Sequence, residues 1–194
     1  MNDQINETLE RIRKLEDELE EELEKGRALY GLKFKGKVAA FEENIVEKHR
    51  QLRMGLLQYL RESKLITFLT APIIYSLILP LVLADLWSSL YQYICFRIYG
   101  IERVVRQDYI IIDRHPLAYL NPIEALNCAF CGYANGVIAY AREIASRTEQ
   151  HWCPIKHSLR IRDPHERYLK FLEYGDAEGY RSKLAAYRQE NKGV

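Results

Sequence analysis

Hydrophobic and polar positions change rhythm three times along this chain. In the first 25 residues, Ile5, Leu9, Ile12, Leu15, Leu19 and Leu23 recur at spacings of three and four among Glu, Lys and Arg. That is the period of a helix with one apolar stripe. Further on the period lengthens. Leu19, Tyr30, Phe41 and Leu52 are each eleven apart, and so are Leu23, Phe34, Ile45 and Leu56. An eleven-residue repeat keeps a stripe on one side of a nearly straight helix. It stays in register through Gly26, Gly31 and Gly36, and so predicts one long coiled-coil-like helix over residues 3–62. At ~1.5 Å per residue it would reach on the order of 90 Å. Its stripe would need cover from a second copy, a protein partner or this chain's own C-terminal part. A helical hairpin is the alternative, because each glycine costs roughly 1 kcal/mol against Ala in a helix.

The second rhythm is no rhythm at all. Residues 65–83 read LITFLTAPIIYSLILPLVL, without a charge. A bilayer core asks for ~20 such residues. Pro72 and Pro80 are tolerable in a lipid helix. Asp85 then interrupts, and on a helix Asp85, Ser88, Ser89 and Gln92 form one polar stripe beside Trp87, Tyr91, Phe96 and Tyr99. Such aromatics favour the membrane interface. Two topologies compete. Residues 65–84 could span once, with 86–99 on the far surface, or 65–100 could form a re-entrant hairpin turning near 80–85. A buried helix of a soluble core is the third reading. Lys48, Arg50, Arg53, Arg61 and Lys64 precede the segment, and Arg97, Arg103, Arg106 and Arg114 follow it. Positive residues on both flanks favour the hairpin, with both flanks cytoplasmic. No signal peptide is visible, which places the N-terminus in the cytosol.

The third part, residues 101–194, is mixed. Three consecutive Ile in DYIIID, at 108–113, suit a short buried strand. Asn121-Pro122-Ile123-Glu124 reads as a helix start, with Asn as N-cap, Pro at the first position and Glu at the third. Pro154 ends that helix after about residue 150. Asp163-Pro164-His165-Glu166 repeats the signature, and a last helix covers 177–190. Gly132 and Gly136, four apart, would let another helix approach closely, or mark a break in the helix.

Charge and cysteines sharpen this picture. A net charge of +1 argues against a nucleic-acid binder. Of the four cysteines, Cys128, Cys131 and Cys153 fall with His157 in a C-x2-C-x21-C-x3-H pattern. In a reducing compartment clustered thiols read first as metal ligands or redox groups. Three thiolates and an imidazole suit a structural zinc site, whose metal would help such a small domain fold. The same ligands could hold iron or an iron–sulfur cluster. Cys128 and Cys131 could also form a redox pair, or stay buried and unliganded. Asp113, His115, Glu124 and Glu143 are the nearby carboxylates and imidazole that could orient the site or serve as alternative ligands. Lys156, Arg160, Arg162 and Arg167 make a basic patch, either a solvated face or a contact for anionic headgroups. The sequence contains no P-loop, nucleotide fingerprint or serine-nucleophile elbow.

The runs NCAFCGYANGVIAYAREIASRTEQHWCPIKH at 127–157 and YGDAEGYR at 174–181 resemble a bacterial family of small membrane-associated proteins with no assigned activity. The likeness covers about 86–181 and implies a bacterial inner-membrane setting. Together the patterns predict a mainly α protein in three parts: an arm over 1–64, a membrane-embedded element over 65–100 and a small helical metal-binding domain over 101–194, with the arm and the C-terminal domain both cytoplasmic. The expected function is that of a membrane-anchored, zinc-stabilised scaffold or assembly protein, homo-oligomeric or partnered through 3–62 and not an enzyme. A thiol-redox or iron–sulfur electron carrier is the alternative, and a metal-dependent enzyme using Glu124, Glu143 and His115 a second.

Overall fold

The computed structural model describes residues 2–29, 32–35, 38–41 and 43–192. The chain is mainly helical. Its first helix, α1 (Asn2–Leu29), presents Ile12, Leu15, Leu19 and Leu23 as an exposed apolar stripe. The continuous helix over 3–62 does not form. After α1 come β1 (Leu32–Lys35) and β2 (Val38–Phe41), paired antiparallel with Leu32 opposite Phe41 and Lys35 opposite Val38. Tyr30, Gly31 and Gly36, on the path of the eleven-residue repeat, lie outside the described residues. The physical reason for the difference is local. LKFK alternates apolar and basic residues at the strand period of two. Only two residues, Gly36 and Lys37, separate the strands, a composition suited to a short hairpin. Two short helices follow, α2 (Glu43–Gln51) and α3 (Leu56–Glu62).

The apolar segment is one helix, Leu65–Tyr99, long and apolar enough to cross a membrane. It comprises α4 (Leu65–Ser76), α5 (Ile78–Tyr91), a π-helical turn (Gln92–Phe96) and α6 (Arg97–Tyr99). The hairpin turn expected near 80–85 is absent, since α5 runs straight through it. Pro80 is tolerated because it falls in the first turn of α5, where a backbone N–H has little to bond. The helix ends at Gly100, whose φ of 70° is the left-handed conformation glycine adopts freely. Ile101 N–H bonds Phe96 O at 2.9 Å, and both side chains enter the core, which is the Schellman arrangement.

The chain then returns as an extended segment before α7 (Pro122–Trp152), a helix of 31 residues. The N-terminal signature of α7 is realised in full. Asn121 Oδ1 accepts from Ile123 and Glu124 N–H, and Glu124 Oε2 accepts from Asn121 N–H at 2.8 Å. The expected strand at 108–113 is instead a 3-10 turn (Arg106–Asp108) and an unpaired extended run. That run lies on α7 at its two glycines. A Cβ at Gly136 would stand 2.7 Å from Ile110 Cα, and one at Gly132 would stand 3.1 Å from Ile111 O. The close approach read from Gly132 and Gly136 is therefore real, but it admits an extended chain and not a helix.

The core holds Phe96, Ile101, Val104, Tyr140 and Ile144, with Tyr91, Tyr109 and Ile110 packed against it. It thus joins the end of the apolar helix to α7, across the boundary expected at residue 100. After α7, a 3-10 turn (Glu166–Lys170) replaces the helix expected from 164, with His165 as its N-cap. The last helix, α8 (Ala177–Glu190), spans 177–190 as its sequence predicts, with Asp176 as N-cap. It closes the C-terminus of α7. Arg188 Nε donates to His151 O at 3.0 Å, and Tyr180 Oη donates to Trp152 O at 3.2 Å. These carbonyls belong to the last turn of α7 and have no partner inside it.

Candidate functional site

The four expected metal ligands are not brought together. Cys128 and Cys131 sit one turn apart in the first third of α7, Cys153 caps its far end, and His157 lies beyond it. Because α7 is unbroken, Cys131 and Cys153 are separated by 22 residues of helix, roughly 33 Å at ~1.5 Å per residue. A zinc ion reaches its ligands at ~2.3 Å for sulfur, so this set does not fit one ion. Among the described residues no three His, Cys, Asp or Glu side chains form a metal-holding group. All four cysteines are free. The Cys153 thiol is pushed up in pKa, by partial burial first and by the Glu149 carboxylate second. A raised thiol is a poor nucleophile. The His157 ring stacks on Tyr168 at 6.0 Å, and its backbone N–H donates to Tyr168 Oη.

The alternative ligands are dispersed as well. Asp113 and His115 are exposed on the segment leading to α7. Glu124 serves the capping box. Glu143, 19 residues further along the same helix, is held by two arginines, Arg147 Nε at 2.8 Å and Arg167 Nη1 at 2.8 Å. Ser146 Oγ also donates to it at 3.2 Å. Arg147 continues the network to Glu102 Oε2 at 3.0 Å. Glu149 finds His165, whose Nε2 lies 2.9 Å away. His165 Nδ1 accepts from Tyr168 N–H, so the proton sits on Nε2 and is donated to Glu149. These carboxylates tie the loop after α7 back onto the helix.

The basic patch is partly absorbed in the same way. Lys156 pairs with Glu173 at 2.6 Å and Arg167 with Glu143, while Arg160 and Arg162 are exposed.

What the structure does assemble is the polar stripe of α5. Asp85, buried, accepts from Arg106 Nε at 2.9 Å and Nη2 at 2.6 Å, and from Tyr133 Oη at 2.9 Å. Gln92 is held on both sides. Its Oε1 accepts from Val104 N–H at 2.9 Å, and its Nε2 donates to Val104 O at 3.2 Å and to Tyr140 Oη. Ser89 Oγ lies 3.2 Å from Tyr140 Oη. The stripe of Asp85, Ser88, Ser89 and Gln92 was readable in the sequence, and all of it but Ser88 takes part in this network. Its partners Arg106, Tyr133, Tyr140 and Val104 were not, because nothing local links them to it.

The opposite side of the same helix stays apolar and open. Leu65 is 75% exposed, Ile73 71%, Leu83 64%, Trp87 68% and Ile98 71%. The helix thus carries a large uncovered apolar surface along its length and, from Asp85 to Gln92, a hydrogen-bonded polar stripe against α7 and the return segment. Surfaces of that kind mark contact with lipid or with another protein.

Comparison with family models, with curated proteins and with solved structures gives no match to this chain. The family resemblance over 86–181 therefore supplies no residue roles.

Proposed function

We propose that this protein is a membrane-anchored scaffold with no catalytic role of its own. Its apolar helix holds the C-terminal domain at a lipid surface, and α1 presents a docking or oligomerising stripe. The observation that carries the reading is the exposure of Leu65–Tyr99, whose apolar side chains face outward over most of the circumference before Asp85, with no buried residue there. On its inner side Asp85, Ser89 and Gln92 are engaged with α7 or the return segment, while the outer side is mostly Leu, Ile and Trp with Tyr93 and Arg97 near its end. Two hydroxyls of α4 are satisfied locally too. Thr70 Oγ1 donates to Ile66 O at 3.0 Å, and Ser76 Oγ to Ile73 O at 2.7 Å. Lipid demands that economy, because an unpaired polar group there costs several kcal/mol.

The arm is read as a self-pairing helix. With Ile5, Ile12 and Leu19 at the a positions of a heptad, Leu15 falls at d, Leu9 and Leu23 at e beside Glu16, and Arg11 at g, while Thr8 and Glu22 occupy the other d positions. In a parallel pair Arg11 of one copy faces Glu16 of the other, an attractive contact of the kind that selects partners.

Two variants separate the parts. Deleting residues 1–29 leaves vesicle binding intact and converts an oligomer to a monomer in light scattering. Replacing Ile73, Leu83 and Ile98 by Glu abolishes vesicle binding and leaves the oligomer. If the triple variant still binds vesicles, the scaffold reading is wrong about the anchor. If the deletion leaves the mass unchanged, it is wrong about the arm.

A further inference from the structure

The long apolar helix and α7 run side by side in the same direction. Tyr75 Oη donates to Asn127 Oδ1 near one end. Asp85 meets Tyr133 and Ser89 meets Tyr140 in the middle. Tyr99 meets the His151 ring at 5.6 Å at the other end. These pairs give a common height scale. On it Gly132 stands between Phe130, whose ring meets Tyr75 at 5.6 Å, and Tyr133, which reaches Asp85. Gly132 is therefore level with the uncharged stretch 75–85.

The return segment crosses α7 at that height. Arg114 Nη2 lies 3.5 Å from the Cβ position of Gly132, and Asp113, Arg114 and His115 are all exposed. Were residues 65–84 to stand upright through a bilayer, these groups would be submerged in hydrocarbon. A charged side chain near the bilayer centre is strongly disfavoured. Among the described residues nothing shields them from lipid in that pose.

Length points the same way. The helix of 35 residues is about 52 Å long at ~1.5 Å per residue, against ~30 Å for a hydrocarbon core. Its exposed apolar stripe does not stop at Ala84. Leu86, Leu90, Ile94 and Ile98 continue it to the end, opposite the inward-facing Asp85, Ser89, Gln92 and Phe96. An upright span would leave that second half of the stripe in water.

We infer that the helix lies in the plane of the membrane. Its apolar stripe enters one leaflet over the whole length, with α7 and the charged return segment on the water side. This rests on the lipid-anchored reading above and adds its geometry: a monotopic protein whose two flanks stay on one side. Apolar side chains laid into the boundary between headgroups and acyl chains reach about 5–10 Å deep. Trp87 and Tyr93, exposed along the helix, suit that depth. Lys64 and Arg97 near its two ends, both exposed, suit anionic headgroups.

The test is a depth measurement on the full chain. The only two tryptophans are Trp87 and Trp152. Three single-tryptophan proteins report on the stripe: Trp152→Phe, which keeps Trp87, and Trp87→Phe/Trp152→Phe with either Ile73→Trp or Ile98→Trp. Each is bound to phosphatidylcholine–phosphatidylglycerol vesicles carrying bromine at different acyl-chain depths. Circular dichroism confirms that each keeps its helix content. The inference expects all three to be quenched most by the same shallow bromine position. Residues 73 and 98 are about 38 Å apart along the axis, so an upright helix cannot place them at one depth. Deep quenching at 73 with none at 98 overturns the in-plane geometry and leaves the lipid anchor standing. No quenching at any position, with the protein still paired in solution, overturns the anchor itself and assigns the stripe to a second copy.

Discussion

Asp85 on α5 and Arg106 on the return segment meet in a two-pronged pair, with Nε 2.9 Å and Nη2 2.6 Å from the two carboxylate oxygens. Twenty-one residues separate them in sequence. The pair fastens the apolar helix to the segment that must fold back over α7. The Asp85 side chain is 10% exposed and the Arg106 side chain 46%, so one partner is desolvated and the other reaches water. Removing Arg106 leaves a buried carboxylate without its charged partner, held by the neutral donors Tyr133 and Ser89. Arg106→Met is expected to destabilise by roughly 3 kcal/mol, the lower end for breaking a buried pair. Asp85→Asn should cost less, since an amide still accepts from Tyr133. Denaturant unfolding in detergent of both single variants and the double variant gives the coupling. Additive effects would show that the pair contributes nothing as a pair.

The two glycines of α7 make a graded prediction. Alanine in a helix interior gains roughly 1 kcal/mol over glycine. At Gly136 the new methyl would stand 2.7 Å from Ile110 Cα and 2.8 Å from Tyr109 O, both backbone atoms with nowhere to go. Overpacking of that kind costs ~1–3 kcal/mol, so Gly136→Ala should be clearly destabilising. At Gly132 the nearest atom is 3.1 Å away, and a small shift of the loop relieves it. Gly132→Ala should fall close to neutral. Thermal melts of the two variants rank them, and the reverse order would contradict the docking of residues 109–112 on α7.

The separation of the cysteines predicts tolerance. Cys153 and His157 are exposed and share no ligand with Cys128 or Cys131. Cys153→Ser and His157→Ala should each change stability by less than about 0.5 kcal/mol, as surface substitutions do. Mass spectrometry of the native protein checks the same point. A zinc ion bound one-to-one and lost in Cys153→Ser would contradict the arrangement of α7.

Much of the fold can be read from the sequence where the signals are local. Asn121-Pro122-Ile123-Glu124 encodes the α7 start because the capping box closes within three residues, and Pro154 bounds its end. The helix at 177–190 and the stripe Asp85, Ser89, Gln92 are equally local. The hairpin at 32–41 is hidden because an eleven-residue coincidence outruns a four-residue alternation. The run of three Ile at 110–112 reads as a strand, yet it has no neighbour to pair with, and its fate is set by two glycines on another helix. The metal site fails on arithmetic already in the sequence. A helix from 122 to about 150 and a shared ion for Cys128, Cys131 and Cys153 exclude one another at ~1.5 Å per residue.

His151 sets a pH dependence. It is buried beside Tyr99 and Trp152, with Nδ1 unpartnered. Burial first, and the Arg188 charge second, hold its pKa below the ordinary imidazole value. The folded protein therefore takes up this proton at lower pH than the unfolded chain does. Its contribution to stability is present above about pH 6.5, the unfolded value, and is lost as pH falls through the lower folded value. Wild type should melt at a lower temperature at pH 5 than at pH 7.5. His151→Leu should reduce that difference. An unchanged pH slope in the variant would assign the effect to other groups.

The central claim is that the open side of Leu65–Tyr99 is a lipid surface, and its most direct measurement is vesicle flotation of the full chain at low and at molar salt. At ~1 M salt charge interactions are screened beyond about 3 Å, whereas apolar burial is not weakened. The account predicts that the protein floats with the vesicles at both salt concentrations. A protein that stays monodisperse in water without detergent, or leaves the vesicles when salt is raised, would contradict it.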